Sequence, residues 1–367
     1  MKSRLILAGD IGGTKTYMAL FELREDTLEP VRDKAFSNAQ YGGPAEVFRE
    51  FLKDGEANDI ISAALGIACP IAGDICRLTN LNWVVDRVGL KKEFGLNDLA
   101  LINDLAAIGW GVGLLSEKDL HVLQKGRPSP GNAALIAAGT GLGEAILFWN
   151  GKAYLPSASE GGHTDFGPRN PLEIELLQFL IRKYGHVSYE RIVSGPGLEN
   201  VYEFVRSKRG AEPERLKKRF EAEGISPVVS DEAIAGTDEG CVTALGLFLS
   251  IYGAEAGNLA LKTLATAGVY IGGGIAPKIL KALSDGRFLE AFRDKGRYGD
   301  FMSAMPVYVI LNDRTGLMGA ARYAASLVEG MNVKRIADSG RAGECPASAL
   351  LFMTTPRPSR GPQPISL

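Results

Sequence analysis

Between Leu5 and Phe21 the chain reads LILAGDIGGTKTYMALF: an apolar strand runs into Asp10, turns over Gly12, Gly13 and Thr14, and leaves as a second apolar strand. Glycines let such a turn bring backbone N–H groups close to an anion, with Thr14 adding a hydroxyl and Lys15 a positive charge. Asp10, at the end of a buried strand, sits where a carboxylate could hold hydrated Mg²⁺. A tight hairpin alone would also account for the glycines. What favours the phosphate reading is that the pattern recurs roughly 130 residues further on, in AALIAAGTGLGEAILFW from Ala133 to Trp149, a spacing that suggests a duplicated domain. Two such turns facing each other can meet a nucleotide's phosphates from both sides. Neither turn contains G-x-x-x-x-G-K-[ST] or a strand-to-helix G-x-G-x-x-G, so a Walker P-loop and a dinucleotide-binding domain are poorly supported.

A chain of 367 residues exceeds the size at which one core usually keeps growing, so two domains are expected. With 46% apolar residues, 23% charged residues and a net charge of −2, there is no electrostatic reason to expect a nucleic acid or a membrane surface as partner. The basic cluster Arg215, Lys217, Lys218 and Arg219 lies among Glu212, Glu214, Glu221 and Glu223 and reads as a solvated helix face. Cys69, Cys76, Cys241 and Cys345 show no CxxC pairing, which argues against a zinc site and against a disulfide framework, and they are expected to be reduced. The apolar run near the N-terminus is cut short by Gly9 and Asp10, so no signal peptide is expected, and no segment approaches an uninterrupted membrane-spanning length. The expectation is a soluble, cytoplasmic protein.

Along the chain, a third strand is expected over Thr27 to Phe36, a helix over Gly43 to Leu52 from the spacing of Val47, Phe48, Phe51 and Leu52, and a buried strand over Ile60 to Ala68. The turn Cys69 to Asp74 follows. Leu99 to Ile102 is a short strand that delivers Asn103 and Asp104 to its end, where ligands gather in open α/β sheets. An Ala/Gly-rich helical stretch then runs to about Leu115. The second half holds two glycine-rich elements, EGGHTDFG at 160–167 and SGPGL at 194–198, a long helix around Ala244 to Leu264, and a buried strand ending in Gly272, Gly273 and Gly274. Those three glycines either allow a flat ligand such as a purine to approach the backbone or open a tightly packed helix. Gly340 to Leu367 is rich in Pro, Ser, Arg and Gly and reads as a poorly ordered tail.

GDIGGTK at 9–15, ACPIAGD at 68–74, IND at 102–104, AGTGLG at 138–143, EGGHTDF at 160–166, ERIVSGPGL at 190–198 and IGGGI at 271–275, in this order, resemble the bacterial glucokinase family. The resemblance covers roughly residues 4 to 328. The cysteine-rich zinc motif of the ROK sugar kinases is missing between His163 and Cys241. What the resemblance implies is an α/β, two-domain actin-like ATPase (ribonuclease H-like) fold with ATP and sugar in the interdomain cleft. It implies a small domain over residues 1–114 completed by a C-terminal helix about 313–330, a large domain over 115–312, and a tail over 331–367.

By the same resemblance Asp104 is the catalytic base for a hexose C6 hydroxyl, and Asn103, Glu160, His163 and Glu190 hold the sugar beside it. Gly9, Asp10, Ile11, Gly12, Gly13, Thr14, Gly139, Thr140, Gly141, Gly273 and Gly274 bind ATP, and Asp10 organises Mg²⁺. Many relatives carry Asn where this chain has Lys15, which leaves that lysine either a phosphate contact or a surface residue. His186 reads as a structural neighbour of Glu190. The expected reaction is ATP-dependent phosphorylation of D-glucose to glucose 6-phosphate, by a homodimer. Phosphorylation of another hexose and a non-catalytic sugar-binding regulator on the same fold are the alternatives; the regulator would need a DNA-binding helix-turn-helix, yet residue 4 already begins the first strand.

Overall fold

Strand β1 (Leu5–Ile11) is buried on both faces, and its two-residue period sorts the burial. Leu5, Leu7 and Ile11 pack with Val47, Phe48, Phe51 and Leu90, whereas Ile6 and Ala8 pack with Leu317, Ala320, Ala321 and Ala324. The first group comes from helices α1 (Pro44–Phe51) and α2 (Arg87–Glu93), the second from the C-terminal helix (Thr315–Asp338). The computed structural model describes residues 4–338 apart from 25, 26, 54, 70, 72, 79, 80 and 211, with side chains as far as residue 328.

The first sheet has the order β3-β2-β1-β4-β7, with β2 (Lys15–Arg24), β3 (Thr27–Ser37), β4 (Ile60–Ile67) and β7 (Ala100–Asn103). Strands β5 (Ile75–Arg77) and β6 (Val84–Asp86) form a separate small ribbon. β1 to β3 are antiparallel neighbours, and β4 and β7 add in parallel. The second sheet has the order β11-β10-β9-β12-β13-β8, from β8 (Leu120–Gln124), β9 (Ala133–Ala138), β10 (Leu142–Trp149), β11 (Tyr154–Ser159), β12 (Gly268–Gly272) and β13 (Val307–Ile310). Here too an antiparallel meander, β9-β10-β11, is extended by two parallel strands, β12 and β13. The duplication suggested by the two glycine turns is therefore a duplication of strand order, with β8 added antiparallel at one edge.

Helices α3 (Asp104–Val112), α4 (Pro171–Tyr184), α5 (Gly195–Arg209), α6 (Glu214–Glu223), α7 (Ile225–Ala235), α8 (Glu239–Thr263), α9 (Leu280–Leu283), α10 (Arg287–Arg293), α11 (Gly299–Ala304) and α12 (Thr315–Asp338) complete the fold. α8 corrects one expectation. It is long and apolar enough to cross a membrane, but 78% of its apolar window is buried, as the central helix of the second core. α12 runs on to Asp338, past Met331 where the tail is expected to begin, because no Gly or Pro interrupts the chain between Met331 and Asp338; residues 339–367 lie outside the described residues.

The basic cluster is a helix face, as expected, but two of its members do more than face solvent. Arg215 and Arg219 of α6 both bond to Glu232 of α7, at 2.6 and 2.8 Å, and Thr237 donates a third bond at 2.6 Å. These hydrogen bonds hold the Glu232 carboxyl down at about 2. Stability from this clip is present above the ordinary carboxylate range and is lost as pH falls toward 2. Glu232→Gln is expected to cost about 2–3 kcal/mol at pH 7 and much less near pH 2.5, read by urea unfolding at both pH values.

α3 links the halves. It leaves the first sheet at β7, and Gly109 packs it against Leu147 and Pro156, while Leu105 reaches Gly143. On its other side it meets α12 at glycines, where a Cβ on Gly111 would overlap Thr315 and one on Gly319 would overlap the Ala107 carbonyl. Gly319→Ala is expected to cost about 1–3 kcal/mol through this overlap, whereas Gly113→Ala, with open space around it, is expected to leave urea unfolding unchanged.

Candidate active site

The carboxyl ends of the parallel strands point to one region, where the backbone leaves the sheets as turns and helix starts. At the end of β12, Gly273 takes a φ of +83° and passes so close to Ala138 that a Cβ would overlap its carbonyl, which only glycine permits. At the end of β13 come Asn312 and Asp313. These residues, with Asp10, Gly274, Thr315 and Gly316, line a cavity of about 230 Å³. The structure thus brings Asp10 together with Gly273 and Gly274, which are 263 and 264 positions away in sequence terms and share no local signal with it.

Asp10 lies on the Ile6 and Ala8 side of β1, toward α3 and α12, and a Cβ on Gly316 would come within 2.8 Å of its carboxyl. Burial raises the Asp10 carboxyl to about 7, and the charges of Asp104 and Asp313 push the same way. A buried carboxylate among other carboxylates is a suitable ligand for a hard cation. The first glycine turn is closed by the Gly12 N–H on the Lys15 carbonyl at 3.0 Å, and Asn38 fastens it by donating to the Gly12 carbonyl at 2.8 Å. Thr14 and Lys15 are exposed. Ile11 is buried in the core, and a Cβ on Gly9 would press on Leu65 at 2.5 Å, so the side-chain positions of both pack the sheet. In the second turn Gly139 N–H donates to Gly141 and the Gly139 carbonyl accepts from Gly195, tying the turn to the start of α5. Thr140 is exposed at its tip.

Asn103 and Asp104 sit where β7 becomes α3. Asn103 is the N-cap: its Oδ1 accepts from the N–H groups of Leu105 and Ala106 at 3.0 and 3.3 Å, and its Nδ2 reaches the Cys69 carbonyl at 3.5 Å. Asp104 Oδ1 accepts from Leu105 N–H at 2.9 Å. Burial raises the Asp104 carboxyl, partly offset by these hydrogen bonds, with a further upward push from the charge of Glu160. Glu160, His163 and Glu190 are brought together by two short turns. His163 lies 3.9 Å from Glu160 Oε2 through Nε2 and 3.9 Å from Glu190 Oε1 through Nδ1. Glu190 is held by accepting the Leu142 N–H at 2.9 Å. His186 pairs with Asp165 at 2.7 Å, as a neighbour of the cluster. Among the described residues no group of three or more His, Cys, Asp or Glu is arranged as a metal cluster.

One expectation is overturned. Cys69 and Cys76 are joined as a disulfide across the loop that follows β4, because the chain doubles back there to form β5. Seven positions separate them, a spacing that does not by itself announce the bond. Of the motif ACPIAGD, Pro70 and Ala72 lie outside the described residues. Asn312, Asp313, Thr315 and Gly316 join the site with no local sequence signal, because β13 reaches it only by lying beside β12.

Two sheets of one strand order that send their carboxyl ends to a common region make this an actin-like ATPase fold, and an acid-and-imidazole cluster lies near Asp104 in it. A family model described as Glucokinase matches residues 7–327. A glucokinase of Synechocystis sp. is 41% identical over 345 residues, covering 87% of this chain and 97% of the relative, and one of Nostoc punctiforme is 40% identical over 339 residues, covering 88% and 99%. The crystal structure of a glucokinase from an Antarctic psychrotroph superposes with a TM-score of 0.77 at 30% identity, over 88% of this chain and 99% of that one. A glucokinase from Balamuthia mandrillaris in complex with glucose shares the fold, with a TM-score of 0.70 at 20% identity over 88% of this chain and 94% of that one. The chain belongs to the glucokinase family.

The cluster geometry makes a direct prediction. A Cβ on Gly141 would stand 2.5 Å from Glu190 Oε2, at the far end of a side chain that can swing away. Gly141→Ala is expected to leave the melting temperature within a few degrees of wild type while weakening glucose binding roughly ten- to hundredfold, the worth of a positioned charged hydrogen bond, as read by calorimetric titration.

Proposed function

We propose that this protein transfers the γ-phosphoryl group of ATP to the C6 hydroxyl of D-glucose, with Asp104 as the base. The observation that carries this reading is the position of Asp104: its carboxyl feels the charge of Glu160 in the sugar-reading cluster and in turn raises Asp10 at the nucleotide cavity. Asp104 therefore stands between the acceptor and the donor.

Phosphoryl transfer asks for in-line placement, neutralised phosphates and an acceptor for the hydroxyl proton. Asn103 and Asp104 are fixed by the first turn of α3, so the accepting oxygen has a defined direction before sugar arrives. An ordinary carboxylate is a weak base for an alcohol, and burial strengthens this one while leaving it suited to take the proton late, as the hydroxyl acidifies. Glu160, Glu190 and His163 read the ring hydroxyls, and Asn103 helps hold the sugar. Gly12, Gly13 and Thr14 meet the phosphates from one side and Gly139, Thr140 and Gly141 from the other, while Gly273 and Gly274 back the adenosine. Asp10 is the residue that would hold Mg²⁺, which when bound neutralises phosphate charge. We assign the small domain to residues 1–114 with the helix about 313–330 and the large domain to 115–312, with closure of the two limiting loss of ATP to water. A cytoplasmic homodimer is assigned on family resemblance alone.

Asp104→Asn is expected to lower kcat by roughly 10²–10⁴ while glucose affinity changes only a few-fold, in a coupled assay with ATP. Run against a panel of hexoses, the wild type is expected to prefer glucose. Retention of most of the rate by Asp104→Asn overturns the assignment of the base, and failure of the wild type to phosphorylate any hexose overturns the enzyme reading.

A further inference from the structure

Directly beneath the sugar-reading cluster lies a pair of carboxyl groups that the proposed reaction does not use. Glu144 of β10 is 1% exposed and Glu255 of α8 is fully buried. They face each other closely enough to share a hydrogen bond. Glu144 Oε1 and Glu255 Oε1 have no other hydrogen-bond partner among the described residues. Two facing carboxylates contain no donor, so a proton held between them supplies the missing one, and charge repulsion in a buried setting favours keeping it.

Both carboxyls connect upward to the sugar cluster. The chain at Gly161, between Glu160 and His163, passes so close over Glu144 that a Cβ there would overlap its carboxyl. Ser159 pairs with Glu144 across β10 and β11 and accepts the Gly161 N–H at 3.0 Å. On the other side Glu255 accepts from Asn258 at 2.8 Å, and Asn258 also donates to the Tyr189 hydroxyl at 3.1 Å. Tyr189 precedes Glu190 in the same turn and also hydrogen-bonds Glu255.

We propose that Glu144 and Glu255 act as a buried acid pair sharing one proton, which positions the Glu160–His163 loop through Gly161 and the Glu190 turn through Tyr189, so that sugar affinity falls when the pair releases that proton to solvent. The inference rests on the glucose-binding reading above and adds positioning residues to it. Every group facing the pair agrees with this direction or is accounted for. From α8 come Lys262, with Nζ 3.5 Å from Glu255 Oε1, and Tyr252; from the turn comes Tyr189. Lys295 donates to Asn258 at 2.6 Å, with Arg169 behind it. Burial first, then the charge of Glu255, raises the Glu144 carboxyl to about 8, while Lys262 opposes the rise. Lys295 is lowered to about 8 by burial and by Arg169, so two groups titrate in one range and must be told apart.

The test is calorimetric titration of the full-length protein with glucose between pH 6.5 and 9, in buffers of different ionisation heat. For wild type, the glucose Kd is expected to rise about fivefold from pH 7 to pH 9, with proton uptake on binding near pH 8. Glu144→Gln keeps an N–H donor toward Glu255 and removes the titration, so its Kd at pH 7 should match wild type, stay flat to pH 9, and show no proton uptake. Glu255→Gln is expected to flatten the profile in the same way, and it carries the test if circular dichroism finds Glu144→Gln unfolded. A pH-independent wild-type Kd overturns the proposal, as does proton uptake that persists in Glu144→Gln and thereby belongs to another group such as Lys295 or Asp10. Absence of glucose binding by the wild type at every pH overturns the sugar reading itself, a result distinct from either.

Discussion

The crossing of α3 and α12 is the contact on which the rest of the arrangement depends. With Gly111 against Thr315 and Gly319 against Ala107, the two backbones approach as side chains would forbid. The approach fixes more than packing. The first turn of α3 carries Asn103 and Asp104, and the first turn of α12 carries Gly316 against Asp10. Closing the crossing therefore brings Asp104, Asp10 and Asp313 to one place. The alanines of α12, Ala320, Ala321, Ala324 and Ala325, make the same close seat on Ile6, Ala8 and Ala64 of the first sheet.

The cost of that convergence is electrostatic. Asp104 and Asp313 push the Asp10 carboxyl up, and Glu160 pushes Asp104 up, so carboxyl groups crowd one region. Burial and the neighbouring charges raise the Asp10 carboxyl to about 7, so a proton held there relieves part of the repulsion. The same solution recurs one layer down, where Glu144 and Glu255 face each other out of water.

Much of this was legible in the chain itself because local rules were enough. The two hairpins, α1 and the burial of β4 follow from period and turn residues, and the ends of β7 and β12 mark Asn103, Asp104 and the glycines by position alone. Glu160, His163 and Glu190 needed the family resemblance, since nothing local says that the turns at 160 and 190 meet. Asn312 and Asp313 were invisible for a similar reason: they matter because β13 lies beside β12, a pairing between segments about forty residues apart. The Cys69–Cys76 bond depends on the chain doubling back after β4, which the spacing of the cysteines did not announce. Glu144 reads as an ordinary polar residue in a strand until α8 is laid against it.

The matching order of the two sheets divides the labour between halves of the chain. The groups assigned to proton and metal chemistry, Asp10 and Asp104, belong to the first sheet, while Glu160, His163, Glu190 and the acid pair under them belong to the second. With one strand order used twice, side chains on the turns of the second sheet can change without moving those that the first sheet holds.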